Sequence, residues 1–177
     1  MADEGDRLTT DGDARREAFR RLTTGSLTRS YRLAAAILGD PEEAQDAVHD
    51  AIVRGWTQWA SLRSEDRFEA WFDRIVVNSC RDRLRRRRSR RTDIVPDLAD
   101  EILIRDIDQI DVLRACLRSL TPEHRLVVVL RYMDDLSTAE IAARTGVRDG
   151  TVRSRLHYAL RALRAAYEAY ERDTDQR

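Results

Sequence analysis

The sequence contains no lysine, and it is poor in aromatic residues, glycine, proline and cysteine. Aromatic residues make up 6% of its 177 residues, with seven glycines, three prolines and two cysteines. This composition argues against a β-sandwich or barrel and favours helices. Because lysine is missing, all 32 basic residues are arginine, whose forked guanidinium suits phosphate. A GC-rich genome would give the same bias, and we give that explanation the greater weight.

Long apolar runs and recognisable catalytic or metal-binding motifs are also missing. The start, MADEGDRLTTDGDARRE, has no apolar segment of the secretory type, and no run approaches the ~18 apolar residues that a membrane span needs. Cys80 and Cys116 lack CxxC spacing, so we expect two core thiols in a reducing cytoplasm. His49, His124 and His157 lie in separate segments, without a phosphate loop or nucleophile elbow. We therefore expect no enzyme, no metal, no cofactor and no small-molecule substrate.

The clearest motif is a helix-turn-helix pattern in STAEIAARTGVRDGTVRSRLHYALRAL, residues 137–163. Ser137 and Glu140 fit a capping box, and Gly146 suits the end of the first helix. The second helix has an apolar side at helical spacing, formed by Val152, Leu156, Leu160 and Leu163. From residue 148 to 164 it carries five arginines against one acid, as expected of a helix that enters the DNA major groove. The alternative is an ordinary helical hairpin whose arginines face water.

The first part of the chain predicts three helices. Ala14 to Leu38 is helical in pattern, with a possible break at Gly25-Ser26, and Gly39-Asp40-Pro41 predicts a stop and restart. The next helix, Pro41 to about Trp59, is amphipathic. Its polar face is a solvated surface or a docking site for a basic partner, and it consists of Glu42, Glu43, Asp46, His49, Asp50 and Arg54.

The third helix ends in the densest positive charge of the sequence. The segment RDRLRRRRSRR, residues 81–91, holds eight arginines and one aspartate. A helix macrodipole favours cations at this end, but eight charges exceed that need, so binding of a polyanion such as nucleic acid is the favoured interpretation. Arg67, Arg74, Asn78 and Arg81 lie on one side of the same helix. We expect Trp56, Trp59 and Trp71 to be core residues.

Charge then reverses, which indicates a linker. Residues 92–111 hold seven acids and one arginine. The sequence therefore predicts an all-α protein of two small helical modules joined by an acidic linker, with the helix-turn-helix in the second module. The expected bounds are a disordered tail at 1–12, a first module at 13–91, the linker at 92–108, a second module at 109–170 and a tail at 171–177. Two tethered arginine-rich modules would recognise one duplex at two sites.

These segments, in this order, resemble the bacterial RNA polymerase sigma factors of the extracytoplasmic-function class of the sigma-70 family. The resemblance runs from about Phe19 to Tyr167. It rests on GDPEEAQDAVHDAIVRGW, on FEAWFDRIVVNSCRDRLRRRR, and on LRSLTPEHRLVVVLRYMDDLSTAEIAARTGVRDGTVRSRLHYALRAL. It implies sigma region 2 at 13–91 and sigma region 4 at 109–170. The implied function is binding core RNA polymerase and directing promoter recognition, DNA melting and transcription initiation of a stress- or signal-responsive regulon.

The resemblance also implies roles for particular residues. Binding of the −35 element falls to Arg148, Thr151, Arg153, Ser154, Arg155 and His157, with Arg153, Ser154 and His157 reading bases. Binding of the −10 element, where a non-template base is flipped out, falls to Arg67, Arg74, Asn78, Arg81, Arg85, Arg86, Arg87 and Arg88. Binding of core polymerase falls to Glu43, Asp46, His49 and Asp50, and the linker would thread the polymerase's RNA-exit path. An anti-sigma factor is a further implied partner.

The sequence departs from the family pattern at a few positions. His49 and Ile52 stand where the family usually has glutamine and phenylalanine. Arg148 replaces the usual serine before the recognition helix, so we expect Asp149 to cap that helix one residue later. Two other function classes stay open: a stand-alone helix-turn-helix regulator that binds an operator as a dimer, and a helical interaction protein whose arginines are only solvated.

Overall fold

The structure is a computed structural model that describes the backbone of residues 3–90 and 109–175 and the side chains of residues 13–89 and 111–174. Within these ranges the chain is helical with two short 3-10 turns and no strand, which confirms the expected all-α class. The acidic linker predicted at 92–108 lies outside the described residues. The helices are α1 Asp3–Leu38, α2 Pro41–Gln58, α3 Phe68–Arg90, α4 Gln109–Ser119, α5 Pro122–Tyr132, α6 Thr138–Thr145 and α7 Asp149–Asp175.

The junction between α1 and α2 forms as its sequence predicts. Gly39 has a φ of 72°, a left-handed conformation that glycine adopts without steric cost. The Asp40 carboxylate accepts hydrogen bonds from the amides of Glu42 and Glu43 at 2.9 and 3.1 Å, with Pro41 as the first helical residue. A strong stop and a strong start therefore fall on adjacent residues, and α2 can turn back along α1.

Two expectations about helix ends differ from the structure. Helix α1 is continuous through Gly25-Ser26 and begins at Asp3, inside the expected tail. Helix α7 continues to Asp175, beyond the expected end of the second module. A Cβ added at Gly25 would have no neighbour within 4 Å, so this glycine lies on an open helix face. A glycine inside a helix costs about 1 kcal/mol relative to alanine, and the neighbouring turns offset that cost.

The helix caps of the second module determine where the helices of the helix-turn-helix begin and end. The side chain of Thr121 accepts from the His124 amide and starts α5, and Ser137 and Glu140 form the expected capping box of α6. Gly146 ends α6 with a φ of 68°. The expected cap of α7 is wrong: the amide of Val152 bonds to the carbonyl of Arg148 at 3.1 Å. Arg148 is therefore the capping position.

Helices α1, α2 and α3 form a three-helix bundle with aromatic packing at one end. Phe68 and Phe72 stack at 5.3 Å between ring centroids and are almost fully buried. Trp59 and Trp71 are partly buried against this core. Trp56 is 37% exposed, and the guanidinium of Arg15 lies over its ring, so the expectation of a core position is wrong for this tryptophan. It lies at the rim because Phe19 fills the interior beside it.

The two modules pack against each other. Residues 126–130 of α5 are all buried, as their continuous apolar run predicts, because α5 contacts α1 on one side and α6 and α7 on the other. Buried residues of both modules form one cluster, which does not include the buried Val112 and Cys116 of α4. The described residues therefore share a single core, although each module also has its own helix pairs.

Candidate DNA and polymerase interfaces

The first turns of α7 present the residues predicted to read the −35 element. Val152, Leu156 and Ala159 are buried against the module. This leaves the opposite side of the helix to the solvent, and Arg153, Ser154 and His157 are exposed there, while Arg148 is exposed just before the helix begins. Thr151 and Arg155 are half-buried at the edges. The structure thus brings five of the six predicted residues onto the first turns of one helix and places the sixth, Arg148, directly before it.

The apolar stripe of α7 differs slightly from the predicted one. Leu160 is 42% exposed, and the buried stripe continues through Ala159 to the partly buried Leu163. A helix of 3.6 residues per turn places positions 152, 156, 159 and 163 on one face and rotates position 160 away from it. The exposed Leu160 and Tyr158 therefore flank the DNA-facing side.

Arg153 has an acidic neighbour on its own helix. Its guanidinium lies 2.5 Å from the Asp149 carboxylate, four residues earlier. The arginine side chain is 71% exposed, so the pair is solvent-screened and of small net worth. Arg153 can therefore exchange this carboxylate for a base edge or phosphate at low cost, and Asp149 keeps the side chain near the helix start until then.

The residues predicted for the −10 element fall into two groups on α3 and just before it. Arg67, Arg74 and the four arginines 85–88 are exposed. Asn78 and Arg81 are half-buried, because the Arg81 guanidinium donates to the backbone carbonyls of Arg144 and Thr145 at 2.8 and 2.7 Å. These carbonyls belong to the last turn of α6, so the helix-turn-helix covers part of the predicted −10 surface.

The acidic side chains predicted to bind polymerase surround one arginine. Arg83 of α3 donates to the carboxylates of Glu43, Asp46 and Asp50 at 3.0, 3.3 and 3.0 Å. The Arg83 side chain is 17% exposed, while His49, the fourth predicted residue, is exposed on the same helix as the three acids. Three of the four predicted residues are thus held in a fixed array by a basic residue of the neighbouring helix.

Sequence reasoning assigned Arg83 to the arginine run without a separate role. The sequence does carry a signal: Arg83 follows Val76 and Cys80 at intervals of four and three, which places it on the core-facing side of the helix. The arginines at 85–88 continue past the end of that apolar stripe. An arginine in register with core residues is expected to form ion pairs with carboxylates of the helix that packs against it.

A second cluster of charges joins the two modules. Arg29 of α1 contacts Asp73 of α3 at 2.7 Å and Asp134, after α5, at 3.3 Å. Arg144 of α6 contacts the same Asp134 at 3.4 Å. Burial raises the pKa of Asp73 to about 6; Arg29 opposes that rise and the Asp134 carboxylate adds to it. Burial likewise raises the pKa of Asp134, against the opposing effects of Arg29 and Arg144.

Other kinds of site are not formed by the described residues. No group of three or more His, Cys, Asp or Glu side chains within them is arranged to hold a metal ion. None of the helices described here combines the length and apolarity needed to cross a bilayer. Cys80 and Cys116 are buried free thiols, as expected, and burial raises the pKa of Cys80 to about 12.

The fold and these surfaces define a two-module helical DNA-binding protein with a helix-turn-helix in its second module. The family model for sigma-70 region 2 matches residues 26–91, and the model for sigma-70 region 4 matches residues 110–163. The RNA polymerase sigma-E factor of Streptomyces avermitilis is 34% identical over 91% of this chain and 88% of its own length. The extracytoplasmic-function sigma factor SigL of Mycobacterium tuberculosis is 33% identical over 76% of this chain and 80% of its own.

The fold is also similar to that of a solved sigma factor. The structure of RpoE from Bartonella quintana, in complex with the anti-sigma factor NepR, matches with a TM-score of 0.65 and 20% identity, over 85% of this chain and 96% of that one. The present chain belongs to the sigma-70 family, in its extracytoplasmic-function class. It is an RNA polymerase sigma factor, a transcription initiation factor that binds core polymerase and promoter DNA. This assignment favours the sigma factor over the stand-alone operator-binding regulator.

Proposed function

We propose that this sigma factor divides promoter binding between α7, which reads the −35 element, and α3, which binds the −10 element, while α2 docks on core polymerase. The observation that carries the proposal is the exposed basic start of α7, where Arg153, Ser154 and His157 share one solvent-facing side and the exposed Arg148 directly precedes the helix. A recognition helix contacts base edges with its N-terminal residues. We assign base reading to Arg153, Ser154 and His157, and phosphate contacts to Arg148, Thr151 and Arg155.

We assign binding of the −10 element to the exposed arginines of α3 and of the turn before it. Arg67 and Arg74 lie near the start of α3, and residues 85–88 continue the charge along the helix. Sequence-independent phosphate contacts of this kind fix the position of DNA and supply much of the affinity. Asn78 and Arg81 complete the site, and for this Arg81 would exchange the carbonyls of α6 for DNA. A flipped base would then be held by edge hydrogen bonds that offset the cost of unstacking.

We assign the binding of core polymerase to α2, through Glu43, Asp46, His49 and Asp50. Arg83 bonds three of these side chains, and the Asp46 side chain remains 68% exposed. Carboxylates held in one orientation lose less conformational entropy when a basic partner binds. Arg83 thus prepares the docking face without cancelling its charge, since three carboxylates share one guanidinium.

The module bounds expected from the sequence, 13–91 for region 2 and 109–170 for region 4, belong to the same proposal. We place the protein in the cytoplasm because its polymerase works there, and we assign it no catalytic activity of its own. A stress- or signal-responsive regulon and an anti-sigma factor partner complete the proposal. The latter is supported by the complex of RpoE with NepR to which this fold is similar.

Reconstituted transcription tests the proposed function. The purified chain, mixed with core polymerase and a promoter library, should yield run-off transcripts that start at discrete sites and need both components. Retarded DNA without polymerase, and no transcripts with it, would instead support an operator-binding regulator. If the chain gives no transcripts and retards no DNA, the result would support a helical interaction protein.

Arg153→Ala tests the assigned base reader. Discrimination at one −35 base pair should fall by about 1–3 kcal/mol, with other positions unaffected, because removing a base-edge hydrogen bond relaxes specificity only where it was made. The measurement is transcription by the holoenzyme from a promoter series mutated at each −35 position. Arg172→Ala, an exposed residue near the other end of the same helix, is the matched control. An equal loss on every promoter would reject base reading by Arg153.

A further inference from the structure

Arg153 differs from the other arginines near the start of α7 because it has an ion-pair partner. The chain carries five arginines from residue 148 to 164, and within the described residues only Arg153 among them contacts a carboxylate. Its partner is Asp149, whose Oδ2 lies 2.5 Å from Nη2 of the arginine. An acid four residues before a base is the favourable order on a helix. The pair thus involves the one arginine of this helix that is assigned to base reading.

The Asp149 side chain does not cap the helix. The capping position is Arg148, whose carbonyl accepts from the amide of Val152 at 3.1 Å. Of the two carboxylate oxygens of Asp149, Oδ2 faces Arg153, and Oδ1 is buried without a hydrogen-bond partner in the described part of the chain. A negative charge in the first turn also suits the helix macrodipole, and the experiment below separates that general effect from a role through Arg153.

We propose that Asp149 is a positioning residue for base reading at the −35 element. Its carboxylate holds the Arg153 guanidinium on the side of α7 that carries Ser154 and His157, and so raises the discrimination that Arg153 makes at its base pair. The inference rests on the proposed assignment of Arg153 as a base reader. The Arg153 side chain is 71% exposed and that of Asp149 is 34% exposed, so the acid lies closer to the helix while the guanidinium extends into the solvent.

The donor geometry of arginine allows one side chain to make both contacts. A guanidinium carries donors on Nε, Nη1 and Nη2 in a planar fork, and the contact with Asp149 is made by Nη2. The remaining donors can pair with O6 and N7 of guanine, the commonest specific contact in the major groove. Arg153 can therefore bind a guanine edge without giving up Asp149. A phosphate would instead bring a second negative charge towards the carboxylate, so the pair favours a base edge over the DNA backbone.

Ordering of Arg153 before binding is the source of the expected gain. Immobilising a long side chain at an interface lowers affinity by a factor of about 2 to 12. Asp149 meets part of that cost in the free protein, because it restricts the guanidinium to one side of α7. Without Asp149, Arg153 would be free to reach neighbouring phosphates, which carry no sequence information.

Transcription by the holoenzyme from promoters mutated at each −35 position tests the inference. Asp149→Asn preserves the size of the side chain and removes its charge, so discrimination at the base pair read by Arg153 should fall about threefold to tenfold. Binding of the same holoenzyme to a non-promoter duplex should tighten, and its salt slope should steepen by up to about 0.9, as Arg153 gains a phosphate. A role confined to helix stability would weaken binding to both kinds of DNA. Glu168→Gln, an exposed acid on the same helix, is the control with the same change in charge and should leave discrimination unchanged.

A double-mutant cycle shows whether Asp149 acts through Arg153. In the Arg153→Ala background, Asp149→Asn should cause no further loss of discrimination, because the group that it positions is gone. Asp149→Glu, which keeps an acid four residues before the arginine, should retain the wild-type discrimination. Should Asp149→Asn lose helical content by circular dichroism, Asp149→Ser, with a residue favoured at helix starts, replaces it in the same cycle.

The outcomes distinguish this inference from the function on which it rests. Unchanged discrimination in Asp149→Asn, or an equal loss in both backgrounds of the cycle, overturns the role of Asp149 while position-specific loss in Arg153→Ala still supports the base reader. An equal loss on every promoter in Arg153→Ala would reject the base reader and this inference with it. Missing transcripts from the wild-type holoenzyme would reject the proposed function.

Discussion

Asp73 is a carboxylate that the fold keeps in an unfavourable place. Its side chain is 5% exposed, and the charged groups that face it are Arg29 from α1, Glu69 from α3, Asp134 after α5 and Arg144 from α6. Burial outweighs the attraction of the two arginines, so the folded pKa of about 6 lies above the ordinary value of 3.8. The folded state therefore binds a proton more tightly than the unfolded state does. Stability from this group is lost as pH rises from about 4 through 6.

Asp73→Asn should remove this component of the pH dependence. The difference in free energy of unfolding between variant and wild type should grow in favour of the variant from about pH 4.5 to about pH 7. Its upper limit is about 3 kcal/mol, at about 1.36 kcal/mol per pKa unit. Urea unfolding at a series of pH values measures it. Asp66→Asn, at an exposed carboxylate of the same module, is the control, and a difference that stays flat with pH would contradict the prediction.

Some contacts of single residues could be predicted from the sequence, and others could not. The capping box at Ser137 and the turn at Gly39 could be predicted because cap chemistry depends on a few adjacent residues. The grouping of Glu43, Asp46 and Asp50 around Arg83 could not be, since it depends on how α2 and α3 align. Helical periodicity predicted the acidic face correctly, but the partner of that face comes from the packing of another helix.

At the scale of the helix, α3 combines a buried half with a basic end. Its first four turns supply core residues such as Phe72 and Val76, and its last described turns carry the exposed arginines 85–88. Some of this charge is already engaged: Arg85 pairs with Asp82, and Arg88 with Glu123 of α5, at 3.3 and 3.4 Å. These exposed pairs are weak enough for DNA phosphate to replace them.

Replacing residues 85–88 by alanine should flatten the salt dependence of promoter binding by the holoenzyme. The slope of log K against log salt should fall by about 0.7–0.9 for each phosphate that is no longer neutralised. Alanine preserves helix propensity, so the helix itself should persist. Binding measured at several salt concentrations gives the slope. A control with the same change in charge replaces Arg15, Arg16, Arg20 and Arg21 of α1; an equal slope in both variants would assign residues 85–88 to solvated surface.

The helices themselves were largely predictable, and their ends less so. Strong periodicity and a start signal at Asp40-Pro41 predicted α2, and caps at both ends predicted α6. Helix α1 extends past its expected start because helix propagation adds a hydrogen bond per residue even where no apolar face is present. The recognition residues of α7 were predicted as a group because the buried stripe of a helix fixes its opposite side. The exposure of Leu160 was missed because positions 156 and 160 were given equal weight in that stripe.

At the scale of the whole molecule, the sequence predicted two modules but not their docking. The apolar run of α5 indicated burial between neighbours, and α1 proved to be one of them. Nothing in the spacing of Arg29 and Asp134, which are 105 residues apart, indicates that they meet. Contacts of that separation depend on the arrangement of complete helices, which periodicity within each helix does not determine.

Shared burial predicts cooperative unfolding. All three tryptophans, Trp56, Trp59 and Trp71, belong to the first module, so their fluorescence reports on that module, while circular dichroism reports on all helices. The two urea transitions of the wild type should coincide, as they do in a two-state protein. Arg29→Ala should separate their midpoints, and Arg32→Ala should keep them together. Separate transitions in the wild type would show that the modules unfold independently.

The charge cluster of Arg29, Asp73, Asp134 and Arg144 draws its members from both modules, and this orders events during synthesis. Domains generally fold as units, with N-terminal ones first, while the ribosome adds about 5–20 residues per second. The three-helix bundle can therefore form while Asp134 and Arg144 have yet to be translated. During that interval Arg81 has no α6 carbonyls to bind, and the apolar side of α1 awaits α5. A nascent chain that pauses in the acidic stretch would expose the very surface that the finished protein conceals.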